Sequence, residues 1–143
     1  MRRRTGRFCL LLLLAIAAAG CAAAPPELPA DALFPATVGE FTRVTGPGVD
    51  PESGLDVAVY ESPAATLTLY VKQMPEGQAE AALSGLPPDA TEVGPDPALG
   101  QRQGVFFSFG GEYHAAWGNG DWVFVLSAET DYGRRAFLAS YTY

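Results

Sequence analysis

A single histidine, His114, is present among 143 residues. Nucleophilic catalysis by a triad needs an imidazole beside a hydroxyl or thiol, and a zinc site needs several nitrogen or sulfur ligands. His114 has no second histidine to share a metal with. It stands in Glu112-Tyr113-His114, where strand alternation sets it opposite Tyr113 and Ala115 and toward solvent, so it reads as an ordinary surface histidine. Sixteen acids could supply a catalytic carboxylate pair, but no spacing singles one out. From Asp50, acids fall at loop positions 1, 3, 7 and 12 (Asp50, Glu52, Asp56, Glu61), which is oxygen-ligand spacing for calcium. Position 6, where that turn needs glycine, is Leu55, and Val57 to Tyr60 read as strand; a solvated acidic turn follows and no metal is expected. Gly110-Gly111 and Gly118-x-Gly120 precede no helix and so make no phosphate cradle.

Aromatic side chains are the remaining material for a site. Phe106, Phe107, Phe109, Tyr113, Trp117, Trp122 and Phe124 crowd one stretch. If helices cover only one sheet face, aromatics left on the other offer a binding face, with Trp117, Trp122 and Phe124 as its candidate residues. The same bulk also suits a core. A two-residue Asn119-Gly120 turn pairs Gly118 with Asp121 and sets Trp117 opposite Trp122. Phe124 and Ala115 then share the tryptophan face, while Ala116, Val123 and Val125 point away. Leu67, in register with Phe124 by spacing, places that face under helices.

The elements that must position these residues are short. Leu67, Leu69 and Val71 alternate with Thr66, Thr68 and Tyr70, the period of a half-buried strand over 66–73. Further strands are expected at 41–44, 56–61, 103–109, 113–117 and 122–128. Ala79, Ala82, Leu83 and Leu86 form an amphipathic stripe that Pro87-Pro88 ends. A second helix runs from about Asp131 to Tyr141, capped by Thr130 or Asp131, with Tyr132, Phe137 and Tyr141 on its buried side. The proline-rich stretch 87–100 reads as loop. The expected fold is α+β, an antiparallel sheet with two helices packed on one face. Tyr60 and Trp117, Leu67 and Phe124, and Leu69 and Leu126 share one spacing, so a duplicated strand-strand-helix unit stands beside chance similarity as its explanation.

The N-terminus carries an address. Arg2, Arg3, Arg4 and Arg7 precede the apolar run Phe8 to Ala19, which is the layout of a secretory signal and short for a membrane span. Ala17-Ala18-Ala19-Gly20-Cys21 resembles the lipobox of bacterial lipoproteins, with Ala18 where leucine is usual. The resemblance implies a thioether-linked diacylglycerol on Cys21 and cleavage before it. Residues 1–20 are then signal peptide, 21–36 a lipidated cysteine and Pro/Ala-rich tether, and 37–143 a single extracytoplasmic domain. The mature chain keeps five basic residues against 16 acids, a net charge of −11. Anionic headgroups would repel it, so the acyl chains must hold it to the membrane. Nucleic acid is excluded as a partner because no basic patch exists to meet phosphates. Cys9 leaves with the signal, so no thiol remains for a disulfide, a cofactor or a redox reaction.

The resemblance implies a lipid-anchored bacterial envelope protein, membrane-bound and extracytoplasmic. Its expected role is non-catalytic binding or scaffolding, with an envelope protein or small ligand as partner and no cofactor. Two alternatives stand beside it: a lipoprotein binding a lipid or small apolar solute on the aromatic face, and a carboxylate-dependent hydrolase.

Overall fold

The computed structural model describes residues 29–143. The expected signal peptide, Cys21 and the expected tether as far as residue 28 lie outside the described residues. In chain order the elements are α1 (Ala30–Leu33), β1 (Thr37–Val38), β2 (Phe41–Val49), β3 (Asp56–Glu61), β4 (Thr66–Gln73), α2 (Ala79–Leu83), β5 (Thr91–Gly94), a 3-10 turn at Pro97–Leu99, β6 (Gly104–Phe109), β7 (Glu112–Asn119), β8 (Trp122–Ala128) and α3 (Asp131–Ser140). All strands join one antiparallel sheet, ordered β1-β2-β3-β4-β8-β7-β6-β5. Two four-stranded meanders therefore meet along β4 and β8.

Register relates the two meanders. Tyr60 pairs with Leu67 and Ala58 with Leu69 in the first; Trp117 pairs with Phe124 and Ala115 with Leu126 in the second. One sequence offset carries the first hairpin onto the second, and the central pair, Leu69 with Leu126, has that same offset. The repeated unit is thus a hairpin. A helix follows each hairpin in the chain, but the two helices take opposite faces and do not follow the symmetry.

The expected α+β arrangement is overturned here. The protein is β-rich, and α2 and α3 lie on opposite faces of the sheet. Leu67, Leu69, Trp117, Phe124 and Leu126 pack with Phe137 and Leu138 of α3. Val123 packs instead with Met74, Ala79 and Ala82. Strand parity is the cause. Gln73 pairs with Trp122, so the next side chain, Met74, falls on the other face and is buried there. The chain leaves β4 toward that side. After β8, Ala128 is buried on the first face, and Thr130 caps α3 by accepting from the Gly133 amide at 3.0 Å. Glycine at 133 lets the helix approach the β3–β4 turn, since a Cβ there would stand 2.6 Å from Ala65 Cβ.

The folded unit also begins earlier than residue 37. Leu33 and Phe34 are buried in the α3-side core. Three successive carbonyls are gripped: Leu33 O accepts from the Tyr141 hydroxyl at 2.6 Å, Phe34 O from Arg43, and Pro35 O from the Tyr60 hydroxyl at 3.0 Å. Burial pushes the Tyr60 phenol up to about 12 and raises Tyr141 as well, so both hydroxyls keep their protons and donate. The stretch assigned to tether by its prolines therefore includes a docked segment.

Candidate functional site

The turn of the tryptophan hairpin shifts by one residue from its expected position, and the pairing of its strands by two. Asn119 pairs with Trp122 and Trp117 with Phe124, leaving Gly120-Asp121 as the turn. Gly120 takes φ +59° while no other turn residue is left-handed, which is the glycine-first, type II′ solution to a two-residue hairpin. Parity survives the shift, so the aromatic residues keep one face. Trp117 and Phe124 are fully buried and stacked, with centroids 5.2 Å apart and planes 7° apart. The Trp117 indole donates to Tyr143 O at 3.0 Å, and half-buried Trp122 packs against the same cluster. The three aromatics proposed for a binding face thus stand in or against the core beneath α3.

His114 is no surface residue. It is buried on the α2 side of the sheet, stacked on Phe107 at 4.9 Å, because its alternation parity matches Ala116 rather than Trp117. Its Nε2 lies 3.2 Å from Phe109 O. A carbonyl only accepts, so Nε2 carries the proton and Nδ1 presents a lone pair that meets no donor among the described residues. Burial pushes the imidazole below its ordinary 6.5, so it is neutral. Ser127 pairs across the strands with His114, but its hydroxyl donates to Glu112 at 2.7 Å rather than to the ring. The Asp50 loop closes on itself: the Asp50 carboxylate accepts from the Ser53 amide at 3.0 Å and hydroxyl at 2.5 Å, and Asp56 to Glu61 are strand β3. Among the described residues no group of three or more His, Cys, Asp or Glu could hold a metal ion.

A cleft of about 490 Å³ opens where the first turn of α3 meets the β5–β6 connection, a volume within the range of small-molecule sites. Arg134 is its anchor. The guanidinium is buried and lies 4.3 Å over the Phe106 ring. It donates to Asp131 Oδ1 from Nε at 3.1 Å and from Nη2 at 2.7 Å, and to buried Asp96 from Nη1. Asp96 in turn caps the 3-10 turn by accepting from the Ala98 amide at 3.0 Å. Asp131 Oδ2 pairs with Arg135 Nε at 2.9 Å. Glu92, at φ +54°, is the one non-glycine residue with a left-handed backbone among the described residues, and its carboxylate accepts from Ser108 at 2.7 Å. Tyr113 also lines the cleft.

The far end of α3 is built differently. Arg102 lies 5.5 Å from the Trp117 ring centre and spreads its guanidinium over five carbonyls. Nε donates to Leu99 at 2.8 Å, Nη1 to Tyr141 and Tyr143 at 3.1 and 3.0 Å, and Nη2 to Leu138 and Ala98 at 2.7 and 3.4 Å. A cation at a helix C-terminus satisfies carbonyls that the helix leaves unpaired. Arg102 therefore closes the chain end rather than opening a site.

Sequence reasoning missed the cleft. Its key pair, Asp96 and Arg134, is 38 residues apart in the chain, and Asp96 lies in a stretch that reads as loop. The one local signal was two adjacent arginines beside an aspartate in a domain with few cations. Comparisons with protein-family models, curated proteins and solved structures returned no match for this chain. Among the described residues, no helix is long and apolar enough to cross a membrane.

Proposed function

We propose that this is a lipid-anchored bacterial envelope protein, extracytoplasmic and held by acyl chains on Cys21, whose folded domain binds a partner without catalysing a reaction. The observation that carries the binding role is the Arg134 cleft. The ion pairs of Arg134 with Asp96 and Asp131 fix the wall of that cleft before any ligand arrives, which is the preorganisation a binding site needs. Both aspartates are occupied by that arginine rather than facing each other across the opening. An apolar solute finds less support: the apolar cavity between α2 and the sheet, beside Leu55, Tyr70 and Val123, holds only about 20 Å³. The anchor rests on the lipobox-like run, and residues 33–35 are docked on the domain. That docking leaves only a short chain between Cys21 and the domain.

One preparation tests both parts. The full chain is expressed in a bacterium, extracted in detergent and examined by mass spectrometry. The expected N-terminus is an acylated Cys21, with Cys21→Ser remaining as precursor or leaving the membrane fraction. An unacylated terminus at Ala22 or later would sink the anchor. Under native conditions a small molecule should ride with the protein and be lost in Ala98→Trp, which fills the cleft. Equal retention by that variant removes the cleft from the proposal.

A further inference from the structure

We infer that the cleft takes a zwitterion of the amino-acid or short-peptide class, its ammonium on Glu92 and its carboxylate on Arg135. The inference deepens the reading of the cleft as a binding site and rests on it. It follows from separating the groups that serve each other from those that do not. Arg134, Asp96 and Asp131 form a closed set: both oxygens of Asp96 are used, by Ala98 and Arg134, and both of Asp131, by Arg134 and Arg135.

Three polar groups then remain with capacity for a ligand. Glu92 meets Ser108 through Oε2 only, and among the described residues no cation pairs with it. Arg135 meets Asp131 through Nε, leaving its two terminal nitrogens on a side chain that is 67% exposed. The Tyr113 hydroxyl has no partner among the described residues. Among the described residues, one carboxylate without a cation, one exposed guanidinium with two unpartnered terminal nitrogens and one neutral hydroxyl therefore line a single cleft. A simple anion would meet the Glu92 charge, and a simple cation would leave the terminal nitrogens of Arg135 unused; a ligand carrying both signs engages both groups. Arginine's planar fork suits a carboxylate in particular.

The Glu92 backbone is a second observation pointing the same way. A glutamate at φ +54° is strained where glycine would sit freely. The strain secures no ion pair inside the protein, yet it sets a carboxylate on the cleft wall, where Ser108 steadies it. Pro95, Pro97 and Ala98 provide an apolar flank for the ligand's aliphatic part.

Full-length protein in detergent is titrated calorimetrically with alanyl-alanine, its N-acetyl form, its C-terminal amide and the doubly capped form. The dipeptide is expected to bind, and either cap to weaken it at least about tenfold, the cost of one charge-assisted contact. Glu92→Gln should weaken the free dipeptide by a similar factor and leave the N-acetyl form unchanged; Arg135→Gln should do the same with respect to the amide. Each variant thus erases the effect of one cap, a pattern that loss of folding cannot mimic. Capped and free peptides binding alike, or caps whose effects persist in both variants, overturn the inference. No binding of the dipeptide overturns it too. If in that case the co-purified molecule is still displaced by Ala98→Trp, the cleft remains a binding site for another ligand class; if it is not, the broader reading falls as well.

Discussion

The two faces of the sheet are unequally finished. On the α3 side, large rings interlock: Phe41, Tyr60 and Phe137 meet edge to face, and Trp117 stacks on Phe124 with Tyr141 against both. The polar atoms among them are partnered, down to the Trp117 indole and both buried tyrosine hydroxyls. On the α2 side a five-residue helix without a side-chain cap covers Val123, and an imidazole nitrogen is buried without a donor. The difference comes from the covering elements. α3 has ten residues, a threonine cap and an arginine lock at its far end. α2 is cut short before Pro87-Pro88, and isolated helices of that length have no stability of their own. Cohesion is therefore concentrated on one face, while the other is held by a thinner cover.

The largest effect should separate the faces directly. Trp117→Ala removes a fully buried indole and its hydrogen bond, and is expected to cost about 3–5 kcal/mol. Val125→Ala on the opposite face removes two methyl groups from a smaller cluster and should cost about 1–2 kcal/mol. Urea unfolding at equilibrium measures both. Equal losses would mean that the α2 side is packed as firmly as the α3 side.

Next in size is the lock on α3. Arg102→Met keeps an unbranched side chain at that position but strips donors from five carbonyls, for an expected loss of about 2–3 kcal/mol. Arg102→Lys should recover part of it, since an ammonium has three donors and lacks the planar fork. The signature is early loss of hydrogen-exchange protection at the α3 C-terminus, with the α2 side unaffected. A uniform loss across both faces would show that α3 is not stabilised locally by Arg102.

How much of this could be read from the chain divides along the same line. Period-two alternation marks β4 and β8 plainly, and parity correctly joins Trp117, Trp122, Phe124 and Ala115 on one face even though the turn shifts from Asn119-Gly120 to Gly120-Asp121. What failed was the assignment of helices to faces. The Ala79–Leu86 stripe shows that a helix has a buried side, but not which sheet face receives it; that depends on Met74 continuing the even-numbered row. His114 failed for a related reason. Solvent was assigned to its face on the assumption that one side of the sheet was bare, and α2 with its following segment covers that side. The cleft was invisible because ion pairs closing over 38 residues leave no local pattern.

The smallest expected effect tests the thinner face through that histidine. His114 is neutral and buried, with its protonated form disfavoured by burial and partly favoured by the Phe109 carbonyl and the Glu112 charge. Unfolding frees the ring to its ordinary 6.5, so as pH falls below that value the unfolded chain takes up a proton that the folded chain does not. The contribution to stability is complete above 6.5. It declines through the window between 6.5 and the lower folded value, and below that window this group contributes no further change. Melting temperature is therefore expected to fall by a few degrees between about pH 7.5 and about pH 5.5, above the range where most carboxylates titrate. Phenylalanine at 114 would stack on Phe107 as the imidazole does and carry no proton, so His114→Phe should flatten that slope. In the parent protein, amides of α2 should lose exchange protection before those of α3. A slope that survives in His114→Phe would assign the pH response to other groups. Simultaneous loss of protection in both helices would show that the two covers unfold as one unit, with neither face the weaker.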